Sequence, residues 1–498
     1  MPRSRSTTAP WESGRRIHRC RSRRTDPEES MTATDIKGLD VSTKSSDALA
    51  AYERGLDLFL RWRGGAVEAL DAAVLSDPRF ALAHCTKSYI AWRMGRADLA
   101  IAAARQATAA ADDAHHDRER LHVQAVDALQ RGDHVATYDR LRQIAAHYPT
   151  DRIAVRIIGL NCITQGDYRG GIDIARRSLE ASPDEPQYQT MLGFFLEQSG
   201  HNDEGLAMSL RSLAQDPTSL YTYHAVGHAY QARGDYPNAL ETFERAASLE
   251  RYPHLLWHLA EAQALLGHDR MTRDYWASTA PPLPVYERIA LLWRLEVLRG
   301  ASADAATWRD LAKQGERVLA DYADWQTTWM HHWLGVAFAR AGDWTRAGQQ
   351  LERLRRMPAG RPSGHWSTLG VALLEGEMAI IKGDLEAAVR LMAPAIDDLH
   401  AMGGGSREQK DIFRDTFMEL HRRLGHVERV IELAQQRLLA NPHHAQSLAA
   451  LAWAYAENGD AALHRQACRQ LVLRAEEAGL APMAPELVAA RRVLEVAA

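Results

Sequence analysis

The stretch Tyr221–Leu249, YTYHAVGHAYQARGDYPNALETFERAASL, decides the fold of this chain. Apolar residues recur at helical spacing on both sides of a short turn at Arg233-Gly234-Asp235, which predicts two amphipathic helices joined by that turn. The residues at which one helix would pack on the other are mostly small or aromatic: Gly227, Tyr230, Ala239, Phe243 and Ala246. Because units of this kind recur along the chain, the sequence is an array of repeats.

The turn glycines give the period of the array. Gly132, Gly166, Gly200 and Gly234 follow one another at intervals of 34 residues, and Gly267 comes 33 residues later. The prolines that end the second helices also step by 34: Pro149, Pro183 and Pro217. A small residue stands seven positions before each turn glycine: Ala125, Gly159, Gly193, Gly227 and Ala260. This pattern is typical of the tetratricopeptide repeat. We therefore predict an all-α fold, an α-solenoid in which ten or more helix pairs form a right-handed superhelix.

Changes of composition divide the chain into segments. Met1–Arg24 carries eight arginines and one acidic residue without apolar periodicity, so it is predicted to be disordered. There are two alternatives: the segment is an Arg-rich targeting signal, or it is an extension that precedes a true translation start at Met31. A proline-rich break at 281–284 and the run Gly403-Gly404-Gly405 interrupt the repeats. The predicted segments are a disordered extension at 1–44, an N-terminal array at 45–279, central repeats at 280–402, and C-terminal repeats with a cap at 403–498.

Composition excludes several functional classes. The net charge of −4 gives no reason to expect a nucleic-acid or membrane partner. No run of about 18 apolar residues and no secretory core segment occurs, which favours a cytoplasmic protein. The four cysteines form no CxxC pair, and the chain contains no phosphate-binding loop, dinucleotide fingerprint or nucleophile elbow. No cofactor and no catalytic residue is therefore assigned.

Counting back from the turn glycines places several polar residues on one face of the first helices. These residues lie thirteen, ten or six positions before their glycine, and offsets three and four apart share a helix face. The stripe comprises Tyr221 and His254 at thirteen, His122, His224 and His332 at ten, and His228 and Glu261 at six. In tetratricopeptide arrays such a stripe faces the concave groove, so several units are expected to project histidines into one hollow.

The histidines have two interpretations. Hydrogen-bonded structural histidines are the more common case on packed helices. The sharper interpretation is a polar pocket for an anion, a carboxylate peptide or a metal ion. His224 with His228, and His254 with His258, are pairs that can place two imidazoles on one metal. However, the HExxH motif is absent and zinc usually needs a third protein ligand. The sequence therefore assigns no metal to these histidines.

Four blocks of sequence resemble the tetratricopeptide repeat protein 38 family. They are RERLHVQAVDALQRGD with AHYPTD at 146–151, HAVGHAY at 224–230, HLLWH at 254–258, and MGGGSREQKDIF at 402–413. The resemblance spans roughly Ser45–Ala440. It implies that six histidines occupy family positions: His122, His224, His228, His254, His258 and His332. It also implies that Ser406, Gln409 and Asp411 belong to a C-terminal family segment, in which Lys410 replaces an expected arginine. The resemblance implies a fold and a candidate pocket but no reaction.

Two functions follow as hypotheses. The first is a soluble interaction protein that binds a peptide or protein partner in a histidine-lined concave groove. The alternative is a small-molecule- or metal-binding protein, possibly an enzyme, that uses the histidine cluster. A peptide groove should be long and open, whereas an enzyme pocket should be closed by the C-terminal units. The predicted groove residues are His122, Tyr221, His224, His228, His254, Trp257, His258, Glu261, His332, Ser406, Gln409 and Asp411.

One further expectation concerns how these residues are arranged. Seven of them are expected to converge on one concave site: Tyr221, His224, His228, His254, Trp257, Glu261 and His332. Neighbouring first helices pack about 10 Å apart, so stripes from adjacent units can share a ligand. Asp411 should join them if the C-terminal units curl back, and the approach of His332 depends on closure of the superhelix.

Overall fold

The computed structural model describes most of the chain. The described residues are 33–114, 116–268, 272, 284–300, 303–321, 328–356, 366–399, 402 and 404–495. The predictions for 1–32, for the break at 281–283 and for Gly403 fall outside these residues.

The described part of the chain contains 24 α-helices and one short hairpin. The helices before the proline-rich segment are α1 Ser46–Leu60, α2 Ala66–Ser76, α3 Ala81–Arg93, α4 Ala97–Ala109, α5 Asp117–Gln130, α6 His134–His147, α7 Arg152–Gln165, α8 Tyr168–Ala181, α9 Pro186–Gln198, α10 Asn202–Gln215, α11 Leu220–Ala232, α12 Tyr236–Leu249 and α13 Pro253–Leu265. Those after it are α14 Val285–Arg299, α15 Ala305–Asp321, α16 Thr328–Arg340, α17 Trp344–Arg356, α18 Val371–Lys382, α19 Leu385–Ile396, α20 Arg407–Arg423, α21 Val427–Ala440, α22 Ala445–Glu457, α23 Ala461–Glu477 and α24 Pro485–Glu495. A π-helical turn at Trp366–Gly370 leads into α18. The predicted all-α tetratricopeptide-repeat solenoid is confirmed.

Local chemistry explains the helix pairs. Gly234 adopts a left-handed φ of +75° in the turn between α11 and α12, and the Asp235 carboxylate then caps α12 through the backbone N–H of Asn238. Within the pair, a Cβ on Gly227 would lie 2.2 Å from the ring of Phe243. Only glycine therefore allows α11 and α12 to approach so closely.

Residues 33–44 correct the predicted boundary of the disordered extension. Ala33–Thr34 and Asp40–Val41 pair as two antiparallel strands, and the Asp35 carboxylate accepts hydrogen bonds from backbone N–H groups in the turn. Buried Arg118 of α5 donates to the carbonyl of Asp40 and forms an ion pair with Asp35. These bonds to the helical array hold residues 33–44 in place. Composition does not reveal them, because they join residues that are distant in the sequence.

The C-terminal part of the chain folds back across the N-terminal array. The backbone N–H of Gly404 donates to Ile163 over 3.3 Å, and that of Ala481 donates to Leu266 over 2.8 Å. Helix α20, which follows Gly404, packs against α11 and α14. The concave side of the solenoid is therefore closed by α20 rather than left open. No described helix is long and apolar enough to cross a membrane.

Candidate functional site

Four imidazoles from two neighbouring first helices meet in the interior. His224 and His228 come from α11, and His254 and His258 from α13. Nε2 of His228 lies 2.9 Å from Nε2 of His224 and 3.1 Å from Nε2 of His258, whose Nε2 is 3.3 Å from that of His254. We call these four residues the histidine cluster. It forms because the i, i+4 pairs of adjacent units face each other across the packed helices.

A carboxylate lies behind three of the four imidazoles. Nδ1 of His228 is 2.5 Å from the Glu408 carboxylate, and Nδ1 of His254 is 2.8 Å from that of Glu287. Nδ1 of His258 faces Glu261 at 3.5 Å. A carboxylate on Nδ1 favours the tautomer that carries its proton there and turns the Nε2 lone pair towards the other rings. Nδ1 of His224 has neither a carboxylate beside it nor a hydrogen-bond partner in the described structure, and Nδ1 of His258 makes no hydrogen bond there either.

Burial favours the neutral form of two members of the histidine cluster, His224 and His258. Desolvation, followed by the neighbouring His228, lowers the pKa of both His224 and His258 well below the ordinary value. Neutral imidazole is the form that ligates metal ions. Burial likewise raises the pKa of Glu261 to about 8, although Arg294 opposes this shift at 3.3 Å.

A second carboxyl group stands beside Glu408. Gln198 donates from one amide nitrogen to both Glu197, over 2.7 Å, and Glu408, over 3.2 Å. Burial and then Glu408 raise the pKa of Glu197 well above its ordinary value. Burial is the largest single influence on Glu408 and acts in the same direction, but His228, Arg407 and the hydrogen bond with Glu197 together hold that pKa below the ordinary value. Glu197 is therefore the protonated member of this pair, and Glu408 is the carboxylate that faces the histidine cluster.

The indole of Trp62 covers the solvent side of the histidine cluster. Its ring lies 4.7 Å from His224 and 5.9 Å from His254 by ring centroids, and it stacks on Tyr252 at 5.0 Å. The His254 side chain is 25% exposed, whereas those of His228 and His258 are fully buried. Trp62 also has a φ of +59°, an uncommon conformation for a bulky residue. The route from solvent to the histidine cluster therefore passes His254 and Trp62.

A cavity of about 480 Å³ lies on the opposite side of the carboxylates. Glu261 and Glu408 line it, so these two side chains separate it from the histidine cluster. Its other charged residues are Arg294, Asp397, Arg407, Asp411, Arg414, Asp415 and Arg437. Asp411 forms ion pairs with Arg414 at 2.8 Å and Arg437 at 3.2 Å.

The structure brings together most of the residues that were expected to converge. The cluster and its immediate surroundings contain Tyr221, His224, His228, His254, Trp257, His258 and Glu261. The indole of Trp257 donates to the carbonyl of Glu287, so it positions the residue that holds His254. Asp411 reaches the adjoining cavity because α20 folds back.

His122 and His332 do not join the histidine cluster. His122 lies 3.0 Å from the Asp151 carboxylate, and His332 lies 2.6 Å from that of Glu377, with all four side chains fully buried. The expected convergence of His332 is therefore wrong. Each of the two histidines is bound to a carboxylate of a nearby unit. The residue ten positions before the turn glycine packs against a different neighbour in each unit.

Ser406 and Gln409 also have a structural role. The Ser406 hydroxyl accepts the N–H of Gln409, and the Gln409 side chain accepts the N–H of Ser406 over 2.7 Å. This capping box starts α20 and sets the position from which Glu408 enters the interior.

Sequence reasoning missed several residues around the histidine cluster. Arg156 stands ten positions before Gly166, on the same stripe as His224, and this offset is the signal that could have identified it. Glu408 lies inside a recognised block, yet nothing local shows that it faces His228. Trp62 carries no signal, because it contacts His224 from a distant part of the chain, and Glu287 reaches His254 from the next described helix, α14.

One unit of the chain matches a known family of repeats. A family model described as tetratricopeptide repeat matches residues 220–252, which contain the α11–α12 unit. Among solved structures, the chain is similar to the APC/C hetero-tetramer Cut9-Hcn1, with 14% identity, 93% of this chain and 78% of that chain covered, and a TM-score of 0.46. It is also similar to the human IFIT1 dimer with PPP-AAAA, with 12% identity, 86% of this chain and 95% of that chain covered, and a TM-score of 0.41. The similarity to yeast Tom70 has 11% identity, covers 90% of this chain and 95% of that chain, and has a TM-score of 0.31.

The family match falls on the stretch whose pattern recurs at 34 residues, and the described helices pair as that pattern requires. The chain contains a tetratricopeptide repeat within a solenoid of helix pairs.

Proposed function

We propose that this protein binds a divalent transition-metal ion through the histidine cluster. The observation that carries the proposal is the orientation of the imidazoles. Hydrogen bonds from Nδ1 of His228 and His254 to carboxylates leave an Nε2 lone pair on each of these rings, and Glu261 favours the same tautomer of His258 from a distance of 3.5 Å. Lone pairs that face each other at 3.1 and 3.3 Å without a proton between them repel, and a bound cation removes that repulsion.

The spacing of the nitrogen atoms supports this proposal. Zinc binds imidazole nitrogen at about 2.0–2.1 Å, so ligand nitrogens of a tetrahedral site lie roughly 3.3 Å apart. Neighbouring Nε2 atoms in the histidine cluster are separated by 2.9, 3.1 and 3.3 Å. The ligand atoms of His224, His254 and His258 all lie within 4.8 Å of one another.

The donor set limits the choice of metal. Imidazole suits zinc, copper, nickel and iron, whereas calcium and magnesium prefer oxygen ligands. A bound transition metal supplies a Lewis acid that polarises a substrate oxygen or lowers the pKa of a water molecule. The carboxylates of Glu408, Glu287 and Glu261 orient the rings, and Trp62 restricts solvent access. His254 is the cluster member that a small ligand can approach.

A peptide groove at the same histidines receives less support. Such a groove needs an open concave surface, but α20 crosses it and places Glu408 against His228. By the criterion set from the sequence, closure by C-terminal units favours a small ligand or a metal. The finer assignment to the tetratricopeptide repeat protein 38 family stays a proposal that rests on the four sequence blocks.

Metal analysis of the full-length protein tests the proposal. Mass spectrometry of the native protein, and zinc titration of chelator-treated protein against a competing dye, are expected to show one ion per chain. His258→Ala is expected to abolish this binding, because His258 contacts both His228 and His254.

His332→Ala is the matched control. His332 is equally buried and equally bound to a carboxylate, but it lies outside the histidine cluster. It should lower the melting temperature without changing the metal content. If zinc fails to bind the wild-type protein and His258→Ala changes stability alone, the four histidines form a structural hydrogen-bond network and the proposal is wrong.

A further inference from the structure

We infer that Arg156 is the oxyanion-binding group of the same site, so that a small organic carboxylate or phosphate binds between its guanidinium and the histidine cluster. This inference rests on the proposed function and names the class of ligand that the metal site receives. It starts from a buried cation that lacks a counter-charge.

Arg156 of α7 is 4% exposed, yet its Nε and Nη2 have no hydrogen-bond partner in the described structure. No described carboxylate lies within 4.0 Å of its guanidinium, and its contacts are with aromatic rings. The other interior arginines differ in this respect. Arg118 is paired with Asp35 and Asp151, Arg152 with Glu53 and Asp57, and Arg294 with Asp415. A buried guanidinium with unused donors is suited to a planar anion, which it can bind through two parallel hydrogen bonds.

Two aromatic residues place Arg156 next to the histidine cluster. The Arg156 guanidinium lies 3.9 Å above the ring of Tyr221 and 5.9 Å from that of Trp62. The same two rings flank His224, with centroid distances of 6.4 Å for Tyr221 and 4.7 Å for Trp62. Tyr221 and Trp62 are therefore aromatic walls common to Arg156 and His224. The buried Tyr221 hydroxyl also lacks a hydrogen-bond partner and provides a further unused donor.

The charges around the histidine cluster fit an external anion on this side. Glu408, Glu287 and Glu261 lie behind His228, His254 and His258, whereas His224 has no carboxylate on its Nδ1. His224 is also the cluster member that shares Tyr221 and Trp62 with Arg156. An anion bound there would meet a cation on one side and the metal ligands on the other. The flat rings of Trp62 and Tyr221 favour an anion with a planar apolar body.

Calorimetric titration of the zinc-loaded protein, freed of excess zinc, tests the inference with benzoate, acetate and inorganic phosphate as probes. Benzoate or phosphate is expected to bind at one site per chain, with benzoate tighter than acetate because of the aromatic walls. Arg156→Met is expected to weaken binding roughly tenfold or more, as the loss of hydrogen bonds to a charged group predicts. Arg156→Lys should keep part of the affinity, since it retains the charge but not the bidentate geometry.

Arg340→Met is the control, because Arg340 also lies over tryptophan rings but is paired with Glu296. Metal content and melting temperature are measured for every variant. Zinc-loaded wild-type protein that binds none of the probes, or binding that is equal in Arg156→Met and wild type, would overturn the inference while leaving the metal site intact. If zinc does not bind but the anion still requires Arg156, the metal proposal fails and the anion site stands.

Discussion

Nδ1 of His228 lies 2.5 Å from the carboxylate of Glu408, although 180 residues separate the two along the chain. The contact joins α11 to α20, and Arg294 reinforces it by donating to the backbone carbonyl of Glu408 over 2.9 Å. The helix that closes the solenoid therefore also orients a ring of the histidine cluster. Closure of the superhelix and assembly of the candidate site are the same structural event.

Glu408→Gln tests this link. The substitution keeps the size of the side chain but removes the charge that holds the proton on Nδ1 of His228. We expect zinc affinity to fall roughly 10–100-fold, the usual effect of losing a carboxylate behind a metal-bound histidine. Competition with a chelating dye measures the change. Glu377→Gln, which alters the equivalent pair with His332, should leave zinc affinity unchanged. Equal affinities of wild type and Glu408→Gln would separate Glu408 from the site.

Trp62→Ala should accelerate metal exchange. The indole lies over His224 and His254 on the solvent side, so its removal opens the route to the histidine cluster without removing a ligand. The release of zinc to excess chelator is expected to become roughly tenfold faster or more, with the metal content at saturation unchanged, because Trp62 provides no ligand atom. Stopped-flow absorbance of the chelator measures the rate. Trp344→Ala removes a partly exposed indole elsewhere and should release zinc at the wild-type rate.

Gly227→Ala should destabilise the repeat that carries two of the histidines. The added methyl group would lie 2.2 Å from the Phe243 ring, so α11 and α12 must separate. We expect a loss of about 1–3 kcal/mol in the free energy of unfolding. Gly348→Ala, within α17, meets no atom within 4 Å and should stabilise the protein by about 0.5–1 kcal/mol. Urea unfolding followed by circular dichroism measures both changes, and a neutral Gly227→Ala would show that this helix contact is adaptable.

Lys410 should make stability depend on pH. It is buried in α20, where its ammonium group donates to the Tyr168 hydroxyl and to the carbonyl of Met402. Burial, with a smaller contribution from Arg414, lowers the pKa of Lys410 from 10.5 to about 7. Between about pH 7 and 10.5 the unfolded chain therefore binds more protons at this group than the folded chain does. The contribution of Lys410 to stability accordingly rises as the pH increases through this window.

Lys410→Met isolates that contribution. The urea midpoint of the wild type, minus that of Lys410→Met, should increase from pH 7 to pH 9 and stay nearly constant from pH 5 to pH 6. Parallel profiles of the two proteins across the whole range would contradict the lowered pKa.

The sequence by itself determined the repeat fold and the pairing of the histidines on each helix of the histidine cluster. Gly132, Gly166, Gly200 and Gly234 set the period, because a left-handed turn at a fixed interval forces each helix back on its partner. The spacing of His224 and His228 placed both rings on one face of α11, since a helix turns once in 3.6 residues. Local periodicity carries this information, so the convergence of α11 and α13 was predictable from adjacent units.

Only the tertiary structure decided which residues complete the site. His122 and His332 share the offset of His224, yet each is bound to a nearby carboxylate, because contacts at that offset differ from unit to unit. Glu408 and Trp62 reach the histidine cluster only because the two ends of the array fold onto its middle. Contacts across 180 residues depend on the accumulated rotation of many helix pairs, and no short stretch of sequence encodes that sum.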